Sequence, residues 1–187
     1  MASSVRAAFI DRDGVINEER NYVYKIQDFV LLPGVLEALK IFQDTGFLLI
    51  VVTNQAGIAR GYYDSKAVEE LHFYMRSLFS DSGIMIDKIY YCPHHREGIV
   101  KKYAIDCNCR KPAPGMLIQA VNEFNINTAQ SVLIGDKISD IQAGRRAGVG
   151  CNVLVESGHP FETSTRFLAD YVVADLLAAA QLFSMRS

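Results

Sequence analysis

Six short runs of β-branched and aliphatic residues alternate with segments of helical period, and this alternation constrains the fold more than any other feature of the 187-residue chain. The runs are 5–10 (VRAAFI), 47–52 (FLLIVV), 86–91 (IDKIYY), 131–134 (SVLI), 149–155 (VGCNVLV) and 171–173 (YVV). Between them, 34–44 carries Val35, Leu36, Leu39, Ile41 and Phe42 on one side and stops at Gly46. Residues 64–82 carry Val68, Leu71, Met75, Leu78 and Phe79, with Asp64 or Ser65 as the cap and Gly83 beyond the end. Segments 114–124, 137–148 and 174–184 complete the set. Strands separated by helices make βαβ units, so the expectation is an α/β fold, one domain spanning 1–187, with a mostly parallel sheet covered on both faces. The uninterrupted apolar character of FLLIVV and SVLI suits central strands.

The charge balance gives no electrostatic footprint for nucleic acid or a membrane surface, since 19 basic and 21 acidic residues leave a net charge of −2. The uncharged run 46–53 is too short to cross a bilayer, and the first residues reach Arg6 and Asp11 after only a few apolar positions, unlike a secretory leader. A cytoplasmic monomer acting on a small molecule is expected. A small anionic substrate would need a basic pocket built locally.

In an open parallel sheet, ligands bind beyond the carboxyl ends of the strands. The first run is followed by Asp11, Arg12, Asp13 and Gly14, the second by Thr53, Asn54, Gln55, Ala56 and Gly57, the fourth by Gly135, Asp136, Lys137 and, a little later, Asp140. Turn formation alone would not favour this mixture at three strand ends. Magnesium takes oxygen ligands, which Asp11, Asp136 and the main-chain carbonyl of Asp13 can supply. A carboxylate of Asp11 can then attack phosphorus, with Asp13 as proton donor and acceptor. Thr53, Asn54 and the backbone of the Gly-containing turn can hydrogen-bond phosphoryl oxygens, and Lys111 offers a charge to the same group.

"DRDGV", the Thr53 turn, the Arg110–Lys111 pair and "GDKISD" resemble, in order, the four motifs of the haloacid dehalogenase-like (HAD) phosphatases, and the resemblance spans nearly the whole chain. It implies a Rossmann-like doubly wound sheet, Asp11 as nucleophile and Asp13 as acid/base. It also implies magnesium on Asp11, Asp13 and Asp136, and a phosphoryl group held by Thr53 and Lys111.

Residues 92–112 lack clear periodicity, and an excursion of that length is uncommon unless something staples it. It carries Cys92-x-His94, twelve residues, then Cys107-x-Cys109, which reads as a closed Cys₃His zinc site of structural type. His95 is the rival ligand; Cys-x-His places its two side chains on one side of an extended arm, which favours His94. The remaining Cys151 lies in a strand-like run and reads as a small packed residue.

With the loop included, "TNQAGIARGYY", "CPHH…CNCRKPAPGM" and "IGDKISDIQAG" resemble the D-glycero-D-manno-heptose 1,7-bisphosphate 7-phosphatases, which serve ADP-heptose and lipopolysaccharide core synthesis. That resemblance implies a phosphorylated sugar substrate and short inserts instead of a large cap domain. It further implies substrate contacts at Glu19, Arg20, Asn21, Tyr22, Asn54, Gln55, Ala56, Arg110 and Lys137. "HHREG" departs from the His-His-Pro expected before the glycine. Histidinol-phosphate phosphatases share the motifs and a zinc loop, but with a shorter spacer between the ligand pairs. A phospho-ligand sensor on the same scaffold would not need both Asp11 and Asp13. His72 reads as a half-buried helix residue, His159 as a solvated loop residue, and Tyr90 and Tyr91 as sheet-packing residues.

Overall fold

A computed structural model describes residues 4–184, without the side chains of 163–165. The strands are β1 (Arg6–Ile10), β2 (Phe47–Asn54), β3 (Lys88–Cys92), β4 (Val132–Gly135), β5 (Cys151–Val155) and β6 (Tyr171–Val173). The helices are α1 (Val35–Asp44), α2 (Ser65–Ser80), α3 (Gly115–Phe124), α4 (Ile138–Arg146) and α5 (Leu176–Ser184). The strands form one sheet in the order β3-β2-β1-β4-β5-β6. Its neighbours all run parallel. The chain winds outward from β1 first to one edge and then to the other, so the order reverses between β1 and β4.

Alternation within β1 shows why both faces are covered. Ala8 and Ile10 join a core with α1, α2 and α5, through Leu39, Phe42, Leu71, Met75, Phe79 and Leu176. Ala7 and Phe9 point the other way, into a core with Met116, Leu117 and Ala120 of α3 and Ile141 of α4. On α1 the buried face is Val35, Ala38, Leu39 and Phe42, a run of helical spacing, whereas Leu36 lies outside it and is exposed. No described helix is long and apolar enough to cross a membrane.

β3 starts two residues later than the apolar pattern predicts. Ile84 and Ile86 are buried in the core without being in a strand, and the Asp87 carboxylate accepts the Leu49 N–H that a longer strand would use. The strand ends on Cys92, which places a zinc-ligand candidate on the sheet itself. The segments between β1 and α1, β2 and α2, and β3 and α3 contain no α-helix, and no separate cap is inserted among the described residues.

Candidate active site

Asp11 and Asp136 each follow the last residue of adjacent central strands, at the point where the sheet order reverses. The Asp11 N–H donates to Ile134 O at 3.0 Å. The turn that follows β1 closes on one carbonyl, because Arg12 O accepts from the N–H of Val15, Ile16 and Asn17. Gly14 adopts a φ of +84° there, and a Cβ would lie 2.5 Å from Asp136 Oδ2. Glycine is required on both counts.

Asp13 is turned toward a buried cation. Arg12, at 0% exposure, donates to both Asp13 oxygens at 2.9 Å, and also to Val23 O and His72 Nε2. Asn17 and Gln55 add further donors to Asp13. Burial works against ionisation of Asp13, but the Arg12 guanidinium and these hydrogen bonds outweigh it and hold its carboxyl below the usual range. His72 is thus more than a half-buried helix residue. Its ring is buried, and because a guanidinium only donates, Nε2 must be the unprotonated acceptor.

Lys111 joins two carboxylates on the other side of the site. Its Nζ lies 2.9 Å from Asp11 Oδ1 and 2.7 Å from Asp140 Oδ1, and donates to Val52 O at 2.7 Å. Burial alone would depress this ammonium, but Asp11 and Asp140 hold it above its ordinary value. Burial raises Asp11, partly offset by Lys111, and burial with the nearby Asp11 charge raises Asp136. The Asn54 amide pairs with Lys111 in both directions, donating to its carbonyl and accepting from its N–H, each at 3.1 Å. Asn54 therefore anchors Lys111, a use beyond the substrate contact expected of it.

Asp11, Asn54, Lys111 and Asp140 line one cavity of about 500 Å³ together with Asp13, Glu19, Asn21, Tyr22, Thr53, Gln55, Ala56, Arg110 and Lys137, whereas Asp136 is fully buried and is not part of the lining. Arg20 is the expected substrate residue that stands outside. Its guanidinium pairs with Glu18 Oε2 at 2.6 Å on the exposed side of the loop, where the nearer carboxylate captures it. Arg60, Tyr63 and His159 line the cavity although their motifs gave no such expectation. His159 is the clearest correction: its peptide N–H and Nδ1 lie 2.9 and 2.7 Å from Asp136 Oδ2, so it is a site residue and not a solvated loop histidine. Tyr22 packs edge-on against Tyr62, and Tyr24 stacks on Tyr63, which in turn donates to Gln55.

Two groups of donors could hold metal. Asp11, Asp136 and Asp140 bring ligand oxygens within 4.8 Å of one another. Asp140 Oδ2 accepts from Lys137 N and its Oδ1 faces Lys111. Asp136 Oδ1 is buried without a hydrogen-bond partner, as a carboxylate oxygen awaiting a cation would be. Cys92, His94, Cys107 and Cys109 form the second group, with Sγ–Sγ separations of 3.0, 3.2 and 3.5 Å. The His94 Nδ1 lies 3.3 Å from Cys109 Sγ, whereas the His95 ring faces Arg60 and Glu97, so His94 is the histidine that stands among the cysteines.

A 3-2-1-4-5-6 parallel sheet with aspartates at the β1 and β4 ends, a polar β2 end and a lysine between the carboxylates defines a HAD-like hydrolase; the HAD-hydrolase-like family model matches residues 108–179. The D-glycero-beta-D-manno-heptose-1,7-bisphosphate 7-phosphatase of Yersinia pestis is 44% identical over 94% of both chains. The D-glycero-alpha-D-manno-heptose-1,7-bisphosphate 7-phosphatase of Photorhabdus laumondii is 46% identical over 87% of this chain and 89% of its own. The D,D-heptose 1,7-bisphosphate phosphatase of B. bronchiseptica, solved with magnesium and phosphate, superposes with a TM-score of 0.84 at 27% identity, covering 98% of this chain and 100% of the other. The chain belongs to the heptose-1,7-bisphosphate 7-phosphatase family of HAD hydrolases.

Proposed function

We propose that this chain removes the C7 phosphate of D-glycero-D-manno-heptose 1,7-bisphosphate, as a step of ADP-heptose and lipopolysaccharide core synthesis. The observation that carries the reading is the meeting of Asp11, Asp136 and Lys111 at the two central strand ends, with Lys111 Nζ 2.9 Å from Asp11. Asp11 is the nucleophile. Its carboxylate oxygen forms a bond to phosphorus as the bond from phosphorus to the C7 oxygen breaks, giving an aspartyl phosphate and an alkoxide. Asp13 protonates the alkoxide, then takes a proton from the water that attacks phosphorus, releasing inorganic phosphate and restoring Asp11. The grip of Arg12 keeps Asp13 ionised in this structure; it takes its first proton from solvent as it turns from Arg12 into the cavity, gives that proton to the alkoxide, and regains one from the attacking water. Thr53 and Lys111 bind the phosphoryl oxygens, and Arg110, Lys137 and Glu19 contact the rest of the sugar bisphosphate.

Asp11, Asp136 and the carbonyl of Asp13 would hold magnesium, which supplies charge neutralisation at the transferring phosphate. Cys92, His94, Cys107 and Cys109 would hold zinc in a closed site that fixes the loop leading to Arg110.

Relatives named for both anomers align over most of the chain, so the test is phosphate release from the α and β bisphosphates and from histidinol phosphate. Turnover of a heptose bisphosphate with magnesium is expected to exceed that of histidinol phosphate. Asp11→Asn keeps the shape of the side chain and removes the nucleophile, so it should abolish release. A loss of only about tenfold would sink the nucleophile assignment. Preference for histidinol phosphate would transfer the chain to that activity, and binding without turnover would make it a sensor.

A further inference from the structure

We infer that His159 is a positioning residue that fixes which oxygen of Asp136 is offered to the divalent metal, an inference resting on the reading of Asp136 as a ligand. Two observations carry it. Both donors of His159, the peptide N–H at 2.9 Å and Nδ1 at 2.7 Å, converge on Asp136 Oδ2, while Oδ1 of the same carboxylate is buried and has no partner. An ionised carboxylate only accepts, so Nδ1 carries the proton in this contact. One oxygen is thereby occupied and the other left for a cation.

The backbone around Asp136 shows how little else could do this. A Cβ at Gly158 would lie 2.2 Å from Oδ2, and one at Gly14 2.5 Å from it, so two bare backbone segments press against this edge of the carboxylate. Ser157 Oγ donates to Gly14 O at 2.8 Å and ties those segments together. The side-chain donor on Oδ2 is the imidazole. The terminal torsion of an aspartate is broad and roughly two-fold. With only the peptide N–H left, the carboxylate can rotate and Oδ1 loses its aim. His159 Nε2 stands 3.7 Å from Glu19 Oε2, so the same ring spans from the metal carboxylate to the expected substrate loop.

The test is binding of Mn²⁺ and Mg²⁺ alone to the full chain by titration calorimetry, for the parent, His159→Ala, His159→Asn and Asp136→Asn. Removing a partner of a ligating group typically costs about 10–100-fold in metal affinity. His159→Ala should weaken binding within that range, and His159→Asn, which keeps an N–H near the position of Nδ1, should recover most of it. Thermal unfolding of both variants without added metal should match the parent, since the residue is about one-third exposed. Affinity of the Ala variant within about twofold of the parent would overturn the inference, and so would an Asn variant no better than Ala. A parent that binds neither ion, or an Asp136→Asn that binds as the parent does, would instead overturn the metal-site reading.

Discussion

On the proposed reading, Arg110 would carry selectivity that Asp11 and Asp13 cannot. The phosphoryl transfer proposed at Asp11 asks only for a phosphate, so preference for a bisphosphate would come from groups that reach its remainder. Arg110 lines the cavity and its Nη1 donates to His94 O at 3.3 Å, leaving the rest of the guanidinium for a ligand. Guanidinium grips phosphate with two parallel N–H bonds, which lysine cannot do. Arg110→Ala should lower kcat/KM for the bisphosphate by roughly 10–100-fold, mainly through KM, while affecting a small generic monoester much less. Steady-state kinetics on both substrates checks the ratio. Equal losses would put Arg110 in the general phosphoryl site. Asp11, Thr53, Lys111 and Asp136 could be placed at the strand ends from the sequence because each follows an apolar strand run or a metal-binding motif. His159 and Arg60 could not, because their arrival depends on how loops far apart in sequence pack together. Arg20 stands outside the cavity, paired with Glu18, which local sequence could not show.

The segment 93–110 has no helix or strand to secure its shape. Cys92 ends β3, and Cys107 and Cys109 return to it with sulfurs 3.5 and 3.0 Å from its own, so the ligand cluster ties the loop to the sheet edge. The purified protein should contain about one zinc per chain. Cys109→Ser should lower that content and raise amide hydrogen exchange across 93–110, leaving the strands protected; metal analysis and exchange mass spectrometry read the two effects. A protein prepared without chelator that holds no zinc would remove the staple. The spacing of cysteines and histidine made this cluster legible. The start of β3 was not, because Ile84 and Ile86 bury as strand residues do while Asp87 blocks the pairing.

Stability of the whole molecule in acid should depend on the buried row His72–Arg12–Asp13. Burial first, and then the Arg12 charge, depress the His72 imidazole to about 3. In the unfolded chain it titrates near its ordinary value of about 6.5. The folded state therefore takes up this proton less readily than the unfolded one. The stability it confers is complete above about pH 6.5 and is lost as pH falls toward 3, with a total on the order of a few kcal/mol. His72→Gln retains an acceptor for Arg12 but cannot be protonated, so its unfolding free energy should fall less steeply than the parent's over that interval. Denaturant melts at a series of pH values give the comparison, and parallel slopes would refute it.

The paired bonds between Asn54 and the backbone of Lys111 have a consequence for tolerance to insertion. The stretch between Cys92 and Lys111 begins in a sheet strand and ends on a residue locked to the neighbouring strand's terminus. Its end-to-end distance is thus set from outside. Lengthening it changes only the entropy of closing a loop between fixed points, about 0.6 kcal/mol for each doubling. Inserted residues at the exposed Arg96–Glu97 tip should therefore leave the lysine ammonium seated between its two carboxylates, so that the reach over the sugar can vary while the phosphoryl site stays constant.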